Sequence, residues 1–438
     1  MNNKMATMEM KKLILSMAFP IMISMLVQAL YNIVDSIFIA HISQNALTAV
    51  SLAFPIQTIM IAFACGTAVG VNTLISRYLG EKKEKEAMQI ASHGILLSLL
   101  NGLIFALFGI FGVKWFLSSY TSDPEIILLG QSYLRICLLF SFSIFIQITY
   151  ERIMQATGHS VYNMVMQGMG AIINIILDPI LIFGLQMGVT GAAIATVTGQ
   201  IIAMAIGIWI TKYKIKEIEF TMKNFSLSFS MIKNIYEIGI PAILMQSLLS
   251  IMNLFMNSIL VSFNVLAVSV FGIYFKISQF VYMPVNGINN AIIPVVSFNY
   301  GAKNKERIHQ ALKFSLFLSI VLMSMGTLLF QFFPESLLFL FDANEELLKI
   351  GIPALRTISI GFIFSGISII FCSILQATNK QNLSLLISLM RQIIFLIPLV
   401  YVLMHTFGLE TGWMAFPLSE GICMILCIVL YKKKGSAL

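Results

Sequence analysis

Charged residues are scarce in this sequence, and their scarcity excludes a soluble globular protein. Only 11% of the 438 residues are charged, whereas 58% are hydrophobic and the mean hydropathy is +0.91. Soluble domains carry roughly twice that share of charge, because their surfaces face water. The composition therefore indicates a chain that is largely embedded in lipid.

Cysteine and histidine are also few, and neither is arranged for catalysis or metal binding. The five cysteines lie within apolar runs without a metal-type CxxC pair, which indicates buried thiols. The five histidines lie in five different segments, with no HExxH motif and no nucleophile elbow. We therefore expect no enzyme activity, no cofactor and no metal other than Na⁺. The net charge of +8 does not indicate nucleic acid, because the basic residues form no continuous face.

Long apolar runs are what the sequence has in abundance. A helix needs ~20 apolar residues to cross a bilayer, and twelve runs meet this requirement. We number them as spans 1 to 12 and place them near residues 13–40, 47–77, 87–117, 124–152, 160–184, 189–211, 232–262, 265–299, 308–333, 346–375, 383–405 and 411–431. Spans 2 and 8 are long for simple crossings, so we expect them to tilt or to extend beyond the membrane.

The charges between the spans predict the orientation of the chain. Lysine and arginine precede span 1, follow spans 2, 4, 8 and 10, and fill the segment between spans 6 and 7. The alternate loops carry acids instead, namely Asp123, Glu125, Glu335, Asp342, Glu345 and Glu346. The positive-inside rule therefore predicts a multi-pass plasma-membrane protein with both termini in the cytoplasm.

The chain also repeats itself at an offset of 221 residues. Pro20 recurs as Pro241, and the triplet 155–157, Gln-Ala-Thr, returns unchanged at 376–378. Each copy holds six spans, an even number, so both enter the membrane from the same side. We predict an all-α membrane protein with two parallel six-helix lobes around a central cleft: an N-lobe (1–211), a cytoplasmic linker (212–231) and a C-lobe (232–438). Such internal repeats are typical of secondary transporters.

Ionisable residues inside spans are costly, and two aspartates are prominent among them. Asp35 in span 1 and Asp178 in span 5 both lie ~9 Å from the outer ends of their helices, at the same level. Asn174 lies one turn from Asp178, and span 6 contributes Thr196. Pro179 lacks an N–H and frees a backbone carbonyl. Such oxygens suit a monovalent cation, and two close carboxylates can instead share a proton. The alternative is that both aspartates only tie helices together.

Other polar residues allow two interpretations. Gln28 and Asn32 share a face of span 1 with Asp35 and form a secondary polar set with Glu151, which either pairs locally with Arg152 or contacts substrate. The second half lacks the two aspartates, since Met256 and Leu399 take their repeat positions. It contains Lys276, Arg391 and Glu420, which form either an internal charge network or part of the cleft lining. Pro20 provides a bending point early in span 1.

Several of these stretches resemble the MATE (multidrug and toxic compound extrusion) family over essentially the whole chain. They are Ala18-Phe19-Pro20, residues 75–80 (Ile-Ser-Arg-Tyr-Leu-Gly), residues 155–158, Asn174 with Asp178-Pro179, and Gly191-Ala192-Ala193. The resemblance implies two six-helix lobes, an outward-facing V-shaped cleft and efflux driven by Na⁺ or H⁺. The resemblance implies that the coupling-cation site consists of Asp35, Asn174, Asp178 and Thr196. It also supports Pro20 as a helix-bending residue. The acids that some members carry in spans 7 and 10 have no match here.

The sequence as a whole predicts a cation-coupled multidrug antiporter. Its cargo would be amphipathic organic compounds, cationic ones in particular, and we expect a monomer in contact with membrane lipid and with no nucleic acid. A related alternative is a flippase for lipid-linked oligosaccharides, which would need more basic residues than Lys276 and Arg391 to bind a pyrophosphate. A carrier of the major facilitator type would have its signature loop after span 2, and residues 77–86 lack it.

Overall fold

The structure is a computed structural model that describes residues 4–218, 226–341 and 343–435, without the side chains of 433–435. Part of the predicted linker, residues 219–225, and the predicted loop acid Asp342 lie outside the described residues. Within the described ranges every regular element is a helix, as predicted from the apolar runs.

Twelve predicted spans correspond to ten continuous helical segments and two bent helix pairs. Span 4 bends by 47° between its two helices and span 10 by 41°. The twelve segments are Met10–Ala40, Gln44–Gly80, Glu84–Phe111, Pro124–Leu139 with Ser141–Ala156, Ser160–Gly184, Gly188–Lys214, Phe229–Phe263, Val265–Gly301, Lys305–Phe332, Glu345–Ser359 with Gly361–Ala377, Gln381–Phe407, and Leu409–Lys432. The prediction of an all-helical, multi-pass membrane fold is confirmed.

Spans 2 and 8 have the excess length that the sequence indicates. Each is a single helix of 37 residues, which corresponds to about 55 Å at 1.5 Å per residue. A bilayer core is about 30 Å thick, so these helices exceed a simple crossing. Each also contains proline, Pro55 in span 2 and both Pro284 and Pro294 in span 8.

The internal repeat is visible in the helix boundaries themselves. Gln44–Gly80 and Val265–Gly301 begin and end 221 positions apart, as do Glu84–Phe111 and Lys305–Phe332. The loops repeat as well. After span 2 Lys82 has a φ of 60°, and its counterpart after span 8, Lys303, has a φ of 54°. Both lysines are in the left-handed region that L-residues other than glycine rarely adopt, so the same turn was kept in both copies.

A pair of hydrogen bonds repeats in the same way. Ser76 donates to the carbonyl of Ala156 at 3.2 Å, and Ser297 donates to the carbonyl of Ala377 at 3.2 Å. Ala156 and Ala377 are the last residues of their helices, where backbone carbonyls have no partner within the helix. Each serine therefore caps the end of span 4 or span 10 from a neighbouring helix.

Packing divides the chain into two compact units whose borders fall inside helices. The first unit is Met1–Thr7 with Phe19–Ile243, and the second is Met8–Ala18 with Leu244–Leu438. Span 1 therefore begins in the second unit and continues in the first, with the border next to Pro20. Span 7 changes unit next to Pro241. In span 1 the hydroxyl of Ser24 donates to the carbonyl of Pro20 at 2.9 Å.

The two units differ in how their interiors are filled. The core of the first unit is rich in alanine, including Ala46, Ala53, Ala64, Ala68, Ala192 and Ala193. The core of the second is rich in aromatic residues, including Phe271, Tyr274, Phe330, Phe362, Trp413 and Phe416. Small side chains let helices approach closely in a membrane protein, whereas rings hold them further apart. The repeated helices thus enclose different interiors.

Candidate functional site

The carboxyl groups of Asp35 and Asp178 face each other inside the first unit. They are close enough to hydrogen-bond to one another when one of them carries a proton. Asp178 is completely buried, and Asp35 is half-buried on span 1. The two residues come from helices that are far apart in sequence, so only the folded bundle brings them together.

Three of the four carboxylate oxygens of the pair accept no hydrogen bond among the described residues. Both carboxylate oxygens of Asp178 and Oδ1 of Asp35 are buried without a donor. Two carboxylates at hydrogen-bond distance repel each other strongly, and a buried charge without a partner is unfavourable. The geometry therefore calls for a positive partner, either a proton shared by the pair or a bound cation.

Asn174 and Thr196 complete the predicted set of oxygen atoms. Asn174 is buried one helical turn before Asp178, and its amide donates to the Thr196 hydroxyl at 3.4 Å. The Oδ1 atom of Asn174 is buried and accepts no hydrogen bond in the described structure. Four residues that the sequence grouped thus lie in one part of the bundle, with amide and carboxylate oxygens open to a ligand.

The backbone beside Asp178 is irregular, for a reason that the sequence contains. Pro179 cannot donate to the helix, and Ile180–Gly184 continue as a short π-helical segment. A side-chain carbon at Gly191 would lie 2.8 Å from the backbone carbon of Leu181. Gly191, at the start of span 6, therefore allows close contact with this distorted backbone and fixes Asp178 against the helix that carries Thr196.

Four neighbours of the aspartate pair were not predicted. Tyr31 and Tyr133 interact electrostatically with Asp35, Gln57 donates to the Tyr133 hydroxyl at 3.4 Å, and Cys137 lies beside them. Tyr31 precedes Asp35 by four residues, a helical spacing that could have identified it. Tyr133 and Cys137 are also four residues apart. No spacing rule, however, connects span 4 with span 1.

The secondary polar set of the prediction does not form one cluster. Gln28 and Asn32 have exposed side chains on span 1. Glu151 lies in a separate group at the end of span 4, where it accepts hydrogen bonds from Gln155 at 3.0 Å and from Gln167 of span 5. Gln155 in turn accepts a hydrogen bond from Arg152 at 3.1 Å, which links Glu151 to its basic neighbour.

The three charges of the second half also separate. Arg391 and Glu420 form a salt bridge with Nε and Oε1 3.7 Å apart. Lys276 is exposed and places its ammonium group 5.8 Å from the centre of the Phe341 ring. The charge network that the sequence allowed is therefore a pair between spans 11 and 12, with Lys276 elsewhere.

The chain matches the profile of the MatE family twice, over residues 20–180 and again over 241–402. The two matches begin at Pro20 and Pro241, which are repeat counterparts. Together they cover more than half of the sequence.

Known proteins resemble the chain along nearly its whole length. The multidrug export protein MepA of Staphylococcus haemolyticus (strain JCSC1435) is 28% identical over 420 residues, which cover 96% of this chain and 92% of that protein. A crystal structure of an outward-facing multidrug resistance MATE family transporter of the MOP superfamily superposes with a TM-score of 0.93. Its sequence identity is 26%, with 99% of this chain and 98% of that chain covered. A crystal structure of MATE in the bent conformation superposes with a TM-score of 0.93 at 26% sequence identity. The superposition covers 99% of this chain and 97% of that chain.

The double family match, the twelve helical segments and the superposition over whole chains agree with one another. They identify a transporter family and not an enzyme family. This chain belongs to the MatE family of multi-pass membrane transporters.

Proposed function

We propose that the protein is a cation-coupled multidrug exporter in which Asp35 and Asp178 bind the coupling ion. Na⁺ or H⁺ would enter from outside, and amphipathic organic compounds, cationic ones in particular, would leave in exchange. The exporter names of the relatives support the transport class. The close carboxylate pair, with three oxygens that accept no hydrogen bond among the described residues, is the single observation that supports the coupling mechanism.

The coupling follows from the need of this pair for positive charge. A conformation that holds the two carboxylates together is stable only with a proton or cation present, whereas one that separates or hydrates them is not. An ion gradient can drive transport if each ligand has a different affinity for the outward-open and inward-open states. The fully buried Asp178 would respond most, since it has no contact with water in this conformation.

The N-terminal half supplies the oxygen atoms that either ion would need. The buried Oδ1 of Asn174 and the Thr196 hydroxyl lie beside the carboxylates and are ligands typical of hard monovalent cations. A proton would need the two carboxylates alone. Removal of the side-chain oxygen of Asn174 therefore separates the two mechanisms.

The proposed orientation places both termini in the cytoplasm of the plasma membrane, from the distribution of lysine and arginine between spans. With that orientation the aspartate pair lies in the outer half of its unit. A coupling ion that arrives from outside would then reach it along a short path. We further propose that the transporter acts as a monomer.

Counterflow in proteoliposomes tests this proposal. Purified protein would be reconstituted with a fluorescent organic cation, and a pH gradient or a sodium gradient would be imposed separately. We expect one of the two gradients to drive dye movement, and Asp178→Asn to abolish it. Dye movement that ignores both gradients, or that survives in both Asp35→Asn and Asp178→Asn, would contradict the proposal.

The Asn174→Ala variant identifies the ion. If Na⁺ is the coupling ion, loss of the amide oxygen should raise the sodium concentration needed for half-maximal transport. If H⁺ is the coupling ion, the pH dependence should remain close to that of the wild type. Asn253→Ala, in span 7, is the matched amide control, because the Asn253 amide donates only to the Leu249 carbonyl of its own helix.

A further inference from the structure

The Arg391–Glu420 pair of the second unit is an incomplete ion pair. Its atoms are 3.7 Å apart, whereas charge-assisted hydrogen bonds between nitrogen and oxygen are about 2.7–2.9 Å. Nε of Arg391 and Oε2 of Glu420 are buried without a hydrogen-bond partner among the described residues. The two groups attract each other, but a large part of their hydrogen-bonding capacity is unused.

The repeat shows what this pair replaced. The counterparts of Arg391 and Glu420 in the first half are Gly170 and Gly199, 221 positions earlier. There spans 5 and 6 touch through their backbones, since a side-chain carbon on Gly199 would lie 2.7 Å from the Gly170 carbonyl oxygen. Two charged side chains cannot occupy so close a contact. Where spans 5 and 6 make a tight backbone contact, spans 11 and 12 therefore carry two charged side chains.

Backbone irregularities converge at the pair, as they do beside Asp178. Arg391 lies in the π-helical segment Met390–Phe395, and span 10 bends by 41° just before Gly361. Gly361 faces Glu420, because a side-chain carbon there would lie 3.2 Å from Cα of Pro417 and 3.6 Å from Cγ of Glu420. Distorted helices are frequent at functional sites, and irregular backbone within a membrane is tolerated only where it is buried in protein or lines a cavity.

Access and surroundings both suit a ligand with an aromatic body. Arg391 and Glu420 expose 18% and 17% of their side chains, whereas Asp178 exposes none. Tyr282 lies within electrostatic range of both charges, and its ring meets Phe362 edge-on at 5.5 Å. The pair is thus partly accessible and lies near aromatic rings.

We propose that Arg391 binds the carboxylate of zwitterionic aromatic cargo, which displaces Glu420 as the partner of the guanidinium. A guanidinium presents two parallel N–H groups that match a carboxylate, and a neighbouring ring packs against the flat body of such a compound. The inference rests on the proposed export function and assigns to Arg391 the selection between zwitterionic and cationic cargo. The aspartate pair of the other unit would still provide the coupling.

A dye with and without a free carboxylate tests this inference directly. The probes are a zwitterionic rhodamine with a free carboxylate and the ethyl ester of the same dye, which is a cation. Binding to purified protein is measured by fluorescence anisotropy, without any ion gradient. We expect Arg391→Gln to weaken binding of the zwitterion roughly 10- to 100-fold, the usual range for a hydrogen bond to a charged group, and to leave the ester within about twofold.

Glu420→Gln should change zwitterion affinity in the opposite direction, and it distinguishes a role in binding from a role in stability. Without the competing carboxylate, Arg391 should bind the zwitterion at least as tightly as in the wild type. If the pair only stabilised the fold, both variants would instead lose both dyes together. Arg356→Gln is the matched control, because Arg356 is an exposed arginine of the same unit whose Nε donates to the Gln331 carbonyl at 3.2 Å. It should leave both dyes unaffected.

A failure to fold would not end the test. Removal of one member of a buried ion pair leaves a lone charge, so Arg391→Gln alone could destabilise the bundle. The double variant Arg391→Gln with Glu420→Gln leaves no lone charge and should fold, with the same loss of preference for the zwitterion. Equal preference in wild type and double variant, or no zwitterion binding by the wild type, overturns the inference.

Transport of the ester keeps the two proposals apart. If the wild type exports the ester under an ion gradient but Arg391→Gln leaves the ratio of zwitterion to ester transport unchanged, only the inference about Arg391 is wrong. If the wild type exports neither dye under either gradient, the proposed export function itself is wrong.

Discussion

The first and second halves of the chain have corresponding helices and a repeated capping hydrogen bond, yet they enclose different charges. The first half places two acids together with three of their oxygens unpaired, and the second pairs an arginine with a glutamate. Where the first half presses glycine against glycine, the second carries the two charges. The comparison shows that the repeated scaffold tolerates different charges because its helix ends and caps, not its interior polar groups, define the fold.

This division has a functional meaning under our proposals. An uncompensated acid pair changes its preferred conformation when a proton or cation binds, whereas a self-neutralised pair is far less sensitive to such ions. One half can then respond to the ion gradient while the other contributes to cargo recognition. Four experiments would break or sharpen this comparison.

The largest effect is expected from the acids of the first half. Asp178→Asn and Asp35→Asn should each reduce gradient-driven dye efflux to background, because the remaining carboxylate can accept a hydrogen bond from the new amide and no longer requires a proton or cation. Protein amount and thermal stability in detergent should stay close to those of the wild type. Glu346→Gln, which removes an acid from the first turn of span 10, is the control and should transport normally. Normal efflux by both aspartate variants would remove the asymmetry that we describe.

Gly199→Ala tests the tight contact that the second half lacks. The added methyl group would lie 2.7 Å from the Gly170 carbonyl oxygen and 3.3 Å from Cβ of Asn174, so spans 5 and 6 must move apart. We expect a loss of about 1–3 kcal/mol in stability, the usual cost of overpacking, and weaker coupling through displaced Asn174. Thermal unfolding measures the first effect.

Gly168→Ala is its matched control, on the neighbouring span 5 and with nothing within 4 Å of the added carbon. A helix-favouring alanine there should be neutral or slightly stabilising. If the two variants behaved alike, close backbone contact would not distinguish the halves.

The repeated serine caps should give equal, moderate effects in both halves. Ser76→Ala and Ser297→Ala each remove a 3.2 Å hydrogen bond to the last carbonyl of a helix. Each should cost about 0.5–1.5 kcal/mol in thermal unfolding. Ser92→Ala, whose hydroxyl bonds only within its own helix, should cost less. Unequal costs at Ser76 and Ser297 would show that the halves differ in their framework as well.

The smallest effect concerns pH and a loop of the first half. Burial lowers the pKa of His159 from its ordinary value of about 6.5; Lys4 lowers it further, and Glu217 opposes the shift. The unfolded chain therefore binds this proton at higher pH than the folded chain. Stability from His159 is present above about pH 6.5 and is lost as the pH falls through the folded value.

The repeat counterpart of His159 is Lys380, so the second half has no imidazole at this position. Thermal unfolding of the wild type should thus become less favourable to the folded state as the pH is lowered from about 8 to 5. His159→Gln should flatten that dependence. An unchanged slope in the variant would assign the effect to other groups.

Much of the fold could be predicted from the sequence because lipid imposes simple rules. Runs of about 20 apolar residues become helices, since backbone groups in a membrane must bond to one another. The bends of spans 4 and 10 could not be predicted, because Phe140 and Ile360 are apolar and no proline or glycine precedes the break in span 4. The division of spans 1 and 7 between the two packed units could not be predicted either. Packing, and not composition, decides which neighbours a helix segment contacts.

The candidate site shows the same limit. The spacing of Asn174 and Asp178 on one helix, and the equal depth of Asp35, follow from 3.6 residues per turn. Other neighbours depend on how the helices rotate about their own axes. Examples are Tyr133 and Cys137 beside the aspartates, Glu151 with Gln167, and Arg391 with Glu420. The rotation of each helix depends on side-chain packing over the whole bundle. The sequence of a single span does not determine that packing.

The sequence by itself determined the helices, their repeat and the residue types that a membrane would not accept without a reason. Only the tertiary structure decided which of those residues meet, because side chains on separate helices become neighbours through packing and not through spacing. For this reason two aspartates far apart in the chain share one pocket, and the glycines of one half correspond to an ion pair in the other.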